Sequence, residues 1–218
     1  FLEDVRKGDL IEYAYSVQGF NPIFKDKYSA SLRVQFGVPV GQILYRIICP
    51  SARNLAIKPR LTTASPAVTV RGADKVYQWE FSNVTALREQ EDLPSWYDPY
   101  PSIGIGEFAG WSEVNKWALP LFVCGHGLSE GLKKKIAQIE AAAGGSDEKK
   151  VLASLRFVQD EVRYMGIEMG VNSHKPNDPD RIFRQRFGDC KDKAFLLCTM
   201  LRAMHIDAAP VLINTSDK

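Results

Sequence analysis

The spacing of apolar residues changes near Gly110, and this change constrains the fold more than any other feature of the chain. Before it, apolar and branched residues fall in short runs at 10–17, 31–36, 42–49, 68–70 and 76–84. Val76-Tyr77-Gln78-Trp79-Glu80-Phe81 alternates apolar with polar, as a half-buried strand does. Gly19, Pro22, Gly37, Pro39, Pro50, Pro59 and Gly72 punctuate these runs. Short strands at such intervals predict an antiparallel β-sandwich. After Gly110 the apolar period is helical: 111–122 is a predicted helix, with Trp111, Val114 and Trp117 at three-residue spacing. Leu128, Leu132, Ile136 and Ile139 form a second stripe, stopped by Gly144-Gly145. Ser146 caps a third helix, whose stripe is Val151, Leu155, Val158 and Val162. The fold class is therefore α+β, a sandwich followed by a helical region. These stripes are core surfaces, and no cofactor is expected.

Two regions resist this scheme. Residues 92–101 hold three prolines among Trp96, Tyr97 and Tyr100, which excludes a central strand. The segment reads as a strap across the sandwich, or else as an aromatic groove for carbohydrate or peptide. Residues 166–179 form a long loop before a short helix at 180–186. Phe1 reads as an internal start, with neither a start methionine nor a signal peptide before it.

Charge and cysteine usage narrow the function. With 28 basic and 26 acidic side chains the net charge is +2, which gives no reason to expect a nucleic-acid partner. Lys133-Lys134-Lys135 reads as a solvated helix face. No apolar run reaches the roughly 20 residues of a membrane helix. Cys49, Cys124, Cys190 and Cys198 make no zinc spacing and no dense disulfide pattern, so no metal site is expected. Cys49 and Cys198 read as small buried hydrophobes, and Cys124 stays open.

Cys190 differs. In Arg186-Phe187-Gly188-Asp189-Cys190-Lys191-Asp192-Lys193-Ala194, a turn glycine and an Asp cap deliver a thiol to the first turn of an apolar-faced helix. Asp189 is read as the N-cap, paired with Asp192 in a capping-box-like arrangement. A helix start favours an anion, and the thiolate is the reactive form of cysteine. From the residues alone, a structural cysteine and a nucleophile both remain possible.

The run Arg163-Tyr164-Met165-Gly166-Ile167-Glu168, the Cys190 segment, and Ile206-Asp207-Ala208-Ala209-Pro210-Val211-Leu212 resemble bacterial transglutaminase-like domains. Gly8-Asp9-Leu10-Ile11-Glu12-Tyr13, Asn21-Pro22, Tyr77-Gln78-Trp79-Glu80, Leu93-Pro94-Ser95-Trp96 and Trp111-Ser112-Glu113-Val114 resemble the domain of unknown function that precedes them in exported proteins. The resemblance implies a papain-like core with Cys190 as nucleophile, and a periplasmic or otherwise exported protein. It implies a sandwich domain over 1–122 and the first part of the catalytic domain over 123–218. The family's histidine and aspartate lie further along, beyond Lys218, so the base role is not carried over to His205.

Several expectations follow. Cys190 attacks a protein or peptide amide to form a thioester, then passes the acyl group to an amine or water. Asp189 and Tyr164 are candidates for the oxyanion side and site lining. His174 reads as an exposed loop histidine, and His126 between Gly125 and Gly127 as an interdomain turn. Bringing a thiol from pKa about 8.5 to about 5 requires roughly 5 kcal/mol. A helix terminus supplies about 0.3–1 kcal/mol, so an imidazolium partner should supply most of the rest. Lys191 and Lys193 should help the thiolate, while Asp189 and Asp192 oppose it. Residues 209–214 are a predicted strand whose missing sheet leaves an apolar face. The sandwich, a second copy of the chain or further residues should cover it. The alternative is a non-catalytic sandwich that recruits a partner and carries a degenerate thiol domain.

Overall fold

The computed structural model describes residues 4–88, 92–94, 96–166 and 168–213. Six strands come first: β1 (Ser29–Arg33), β2 (Val40–Pro50), β3 (Ala56–Arg60), β4 (Ala67–Arg71), β5 (Asp74–Val84) and β6 (Ser102–Gly106). They form two antiparallel three-stranded sheets, ordered β1-β6-β3 and β2-β5-β4. Tyr77 and Trp79 of β5 bury their side chains against Ile103 and Ile105 of β6. Trp79, 2% exposed, is the largest fully buried side chain of this sandwich core.

Two of these strands were not apparent in the sequence. β6 is Ser-Ile-Gly-Ile-Gly, with only two apolar side chains, yet both point into the core and it is the central strand of its sheet. β3 contains Pro59, which its edge position tolerates because one side of an edge strand needs no donor. The opposite error occurs at 10–17, where a strand is predicted. Residues 9–20 form no strand, and Leu10, Tyr13, Tyr15 and Val17 are exposed. Strand propensity there is real, but it measures fit to a pleated neighbour, and no described residue pairs with this segment.

The proline-rich segment behaves as a strap. Arg60 of β3 donates to the Asp98 carbonyl at 2.7 and 2.6 Å, and the Arg33 guanidinium of β1 lies 4.4 Å from the Tyr100 ring centroid. Trp96 and Tyr97 lie edge to face 6.3 Å apart and stay partly exposed.

The helical region comprises α1 (Trp111–Ala118), continued by a 3₁₀ turn at Leu119–Phe122, then α2 (Glu130–Ala143) and α3 (Asp147–Asp160). A short strand β7 (Arg163–Tyr164) and a 3₁₀ turn at Gly170–Ser173 follow. The last elements are α4 (Pro179–Gln185), β8 (Phe187–Gly188) and α5 (Cys190–Ala203). Ser129 and Ser146 cap α2 and α3 by accepting from Leu132 N–H and Lys149 N–H. Gly144 ends α2 at φ 58°, a left-handed cap that glycine adopts without strain. Leu132, Ile136, Phe157, Val158, Val162, Ile182, Leu196 and Met200 form one core. Of the expected α3 stripe, Val158 and Val162 are buried and Leu155 is half-buried, whereas Val151 is exposed and Ser154 and Phe157 are buried beside them.

Residues 209–213 are extended but form no strand, correcting the prediction for 209–214, whose last residue lies outside the described ones. Sandwich strands do not cover this segment. Ala209–Leu212 instead faces Trp111, Val114, Leu119 and Phe122 across an open groove of about 660 Å³. Val211 remains 78% exposed.

Candidate active site at the cysteine helix

α5 begins at Cys190 with both halves of a capping box in place. The Asp189 carboxylate accepts from Asp192 N–H at 3.3 Å, and the Asp192 carboxylate accepts from Asp189 N–H at 3.2 Å. Two orphan donors of the helix start are satisfied reciprocally, which fixes the first turn. Cys190 is exposed at this turn, whereas Cys198, two turns on, is buried, and burial pushes its thiol up. Among the described residues, Cys190 Sγ makes no hydrogen bond, so the sulfur is reachable and uncommitted.

What lies behind the turn was only partly visible in the sequence. Asp192 Oδ1 also accepts from Asn177 N–H at 2.7 Å, joining the long loop to the helix start. Asn172 Nδ2 donates to Asn177 Oδ1 at 3.0 Å, extending that link into the 3₁₀ turn. An Asn ahead of a Pro-initiated helix was the only available signal, and it is a weak one. β7 and β8 pair in parallel, Arg163 with Phe187 and Tyr164 with Gly188, so Tyr164 is brought beside the cysteine turn. A thiolate at Cys190 is the largest influence raising the Tyr164 phenol, with burial and Glu168 adding to it.

Gly188 matters for a reason other than turn geometry. A Cβ there would lie 2.8 Å from Asp192 Cβ, 3.0 Å from Asp192 Oδ2 and 3.1 Å from Ile182 Cδ1. The left-handed residue of this connection is Arg186, at φ 60°. Glycine is thus required by close packing against Asp192.

The two lysines beside the sulfur bond to other partners. Lys191 forms a buried ion pair with Asp189, the side chains being 11% and 3% exposed. Lys193 donates to the Val162 carbonyl at 2.5 Å. Both cations are therefore committed to structure.

None of the three histidines bonds to Cys190 among the described residues. His205 sits at φ 62° just past the end of α5, about 20 Å along the axis from the first turn. His126 bonds to Gly127 and Asp178. His174 is exposed as a residue, yet its ring is wedged edge-on against Phe24 at 4.9 Å and Trp117 at 5.6 Å. Burial, then the Lys191 ammonium, pushes its imidazole below the ordinary histidine value.

A polar cavity of about 150 Å³ lies against the helix start, lined by Met165, Asn172, Asn177, Arg181 and Asp189 among others. The larger apolar groove at 209–212 includes Arg202 and so belongs to the opposite end of α5. Of side chains able to hold a metal, one group of three stands out among the described residues: Cys124, His126 and Asp178. Among the described residues, no helix is long and apolar enough to cross a membrane.

A fold of two antiparallel sheets followed by a helix-borne, exposed thiol has relatives. Residues 134–218 match the transglutaminase-like superfamily, and residues 1–88 match a domain of unknown function, DUF3857. The chain therefore carries an N-terminal DUF3857 domain followed by a transglutaminase-like domain. Among solved structures it is similar to a candidate protease from Parabacteroides distasonis, at TM-score 0.65 and 19% identity. That alignment covers 84% of this chain and 35% of the other, so the chain spans about a third of its relative's length. A candidate cysteine protease from Cytophaga hutchinsonii aligns at 13% identity over 81% of this chain and 63% of that one, with a TM-score of 0.27. No curated protein matches the chain.

Proposed function

We propose that this chain carries the nucleophile of a transglutaminase-like cysteine acyl-transfer site. Cys190 Sγ attacks the carbonyl carbon of a protein or peptide amide, and the C–N bond breaks as the amine leaves with a proton. The resulting thioester passes its acyl group to a second amine or to water, and the thiol is restored. The observation that carries this reading is the placement of Cys190: exposed, first in its helix, and held there by a closed capping box. Asp189 acts as a positioning residue through that box. Tyr164 lines the approach, and the Cys190 N–H, at the first position of α5, is assigned as an oxyanion donor. The general base and its orienting acid are assigned to chain outside these 218 residues. Supporting this, His126 is bonded to Asp178, His174 is packed against Trp117, and His205 sits past the far end of α5.

Two measurements test the reading. Labelling by a peptidyl electrophile should modify Cys190 and no other cysteine, and Cys190→Ala should lose the label. In a version of the protein extended past Lys218, transfer of a fluorescent amine to a glutamine-bearing protein, or hydrolysis of a peptide amide, should also vanish in Cys190→Ala. Activity that survives this substitution would show that the nucleophile lies elsewhere.

A further inference from the structure

We propose that Cys124, His126 and Asp178 form a binding site for a late first-row divalent cation, Zn²⁺ by preference. It is separate from the cysteine helix and joins the 123–129 linker to the start of α4. One potential ligand atom from each residue lies within 4.8 Å of the other two. They come from segments more than fifty residues apart in sequence, so the fold, not local spacing, brings them together.

The histidine geometry points to a metal. His126 Nδ1 lies 3.0 Å from the Gly127 carbonyl, which assigns the Nδ1 proton to that oxygen. Nε2 is then the nitrogen that faces Asp178, with Oδ2 at 2.8 Å. A backbone carbonyl holding one ring N–H is how metal-ligating histidines are oriented; the cation would take the place of the proton that Nε2 shares with Asp178 Oδ2. The other Asp178 oxygen is fixed by Asp180 N–H at 2.9 Å, leaving Oδ2 as the ligand. Cys124 Sγ donates to the His126 carbonyl at 3.2 Å and not to the ring, which does not form a thiol–imidazole catalytic pair.

Ligand atoms on a tetrahedral zinc stand roughly 3.5 Å apart, so closing the set needs only small movements. The loop can make them: Gly125 and Gly127 flank His126, with open space around both. A thiolate, a neutral imidazole and a carboxylate favour zinc and its neighbours over magnesium or calcium. Three protein ligands leave a fourth position for water. Binding displaces the Cys124 thiol proton and the proton between His126 Nε2 and Asp178 Oδ2, so affinity should rise with pH. The neighbouring Asp180 carboxylate is committed to Ser129, accepting from its N–H at 2.9 Å and its hydroxyl at 2.5 Å. It therefore adds negative potential without competing as a ligand.

The test is Co²⁺ titration of the reduced, full 218-residue chain, with Co²⁺ as the spectroscopic stand-in for Zn²⁺. The expected result is a thiolate-to-cobalt charge-transfer band saturating at one equivalent and bleached by Zn²⁺. Cys124→Ser should abolish the band, and Cys190→Ser should keep it. His126→Ala and Asp178→Asn should each weaken apparent affinity by about 10–100-fold or more. Asn at 178 still caps α4, so that variant keeps its fold, to be checked by circular dichroism. No stoichiometric band, or a band lost in Cys190→Ser and kept in Cys124→Ser, overturns the proposal.

Discussion

Replacing Gly188 with alanine tests whether the start of the cysteine helix is packed as tightly as it looks. The added methyl would meet Asp192 Cβ at 2.8 Å, Asp192 Oδ2 at 3.0 Å and Ile182 Cδ1 at 3.1 Å. None of these atoms is free to retreat. Ile182 is wholly buried, and Asp192 is held by Asn177 N–H at 2.7 Å and Asp189 N–H at 3.2 Å. Overpacking a filled site costs about 1–3 kcal/mol. Displacing Asp192 far enough to lose one bond to its carboxylate adds about 1.5–3 kcal/mol. The expected loss is about 2.5–6 kcal/mol, a large part of the 5–15 kcal/mol typical of a domain. In urea, with a slope near 2.5 kcal/mol/M, the midpoint of the helical region should fall by roughly 1–2.4 M. Gly106→Ala is the control, because a Cβ there meets nothing within 4 Å, and it should shift the midpoint little. Faster alkylation of Cys190 in Gly188→Ala would report a loosened first turn. A midpoint unchanged within about 0.5 kcal/mol would refute the reasoning, because Asp192 would then be movable at no cost.

Leu132→Ala, which empties a fully buried position of the helical core, should cost about 2–5 kcal/mol in the same urea experiment. Burial depresses the His174 imidazole, so its contribution is full above the unfolded value of about 6.5 and is lost as pH falls through the lower folded value. An NMR titration should place its midpoint below 6.5, and Trp117→Ala should raise that midpoint more than Lys191→Met does, since burial outweighs the lysine charge. Asn21→Ala removes bonds to the Gly170 carbonyl at 2.6 Å and to Ser173 Oγ at 2.8 Å. Amide exchange across 170–175 should quicken by about 5- to 30-fold, the equivalent of about 1–2 kcal/mol.

The parts of this structure that were legible in the sequence are those whose signal is local. Ser129, Ser146 and Gly144 sit beside the helix ends that they cap, and Asp189 and Asp192 are three residues apart, so their capping box could be anticipated. Strand β5 was apparent because alternation persists along its length. Where a partner distant in sequence overrode the local signal, the reading failed. Residues 10–17 have strand chemistry and no strand beside them, whereas β6 has little strand chemistry and a neighbour on each edge. Asn177, Lys191 and the group at Cys124, His126 and Asp178 owe their roles to contacts that only the folded chain creates.

That same distinction explains how the thiol is presented. Around Cys190 the polar side chains are spent on holding shape: Asp189 on Lys191 and the helix cap, Asp192 on Asn177 and the Asp189 N–H, Lys193 on Val162. The loop that Asn177 ends is in turn tied through the Gly170–Ser173 turn to Asn21, while Trp117 donates to the Ile23 carbonyl at 2.7 Å. Hydrogen bonds to the 170–177 segment thus hold the turn ahead of β1 at one end and the first turn of α5 at the other. Few charges are left over to act on the sulfur, and the backbone dipole of one helix contributes only about 0.3–1 kcal/mol. What the chain supplies at Cys190 is position and access. Under the proposed function, activation of the sulfur comes from a group delivered to it, and Cys190 is exposed at the turn where that group would arrive.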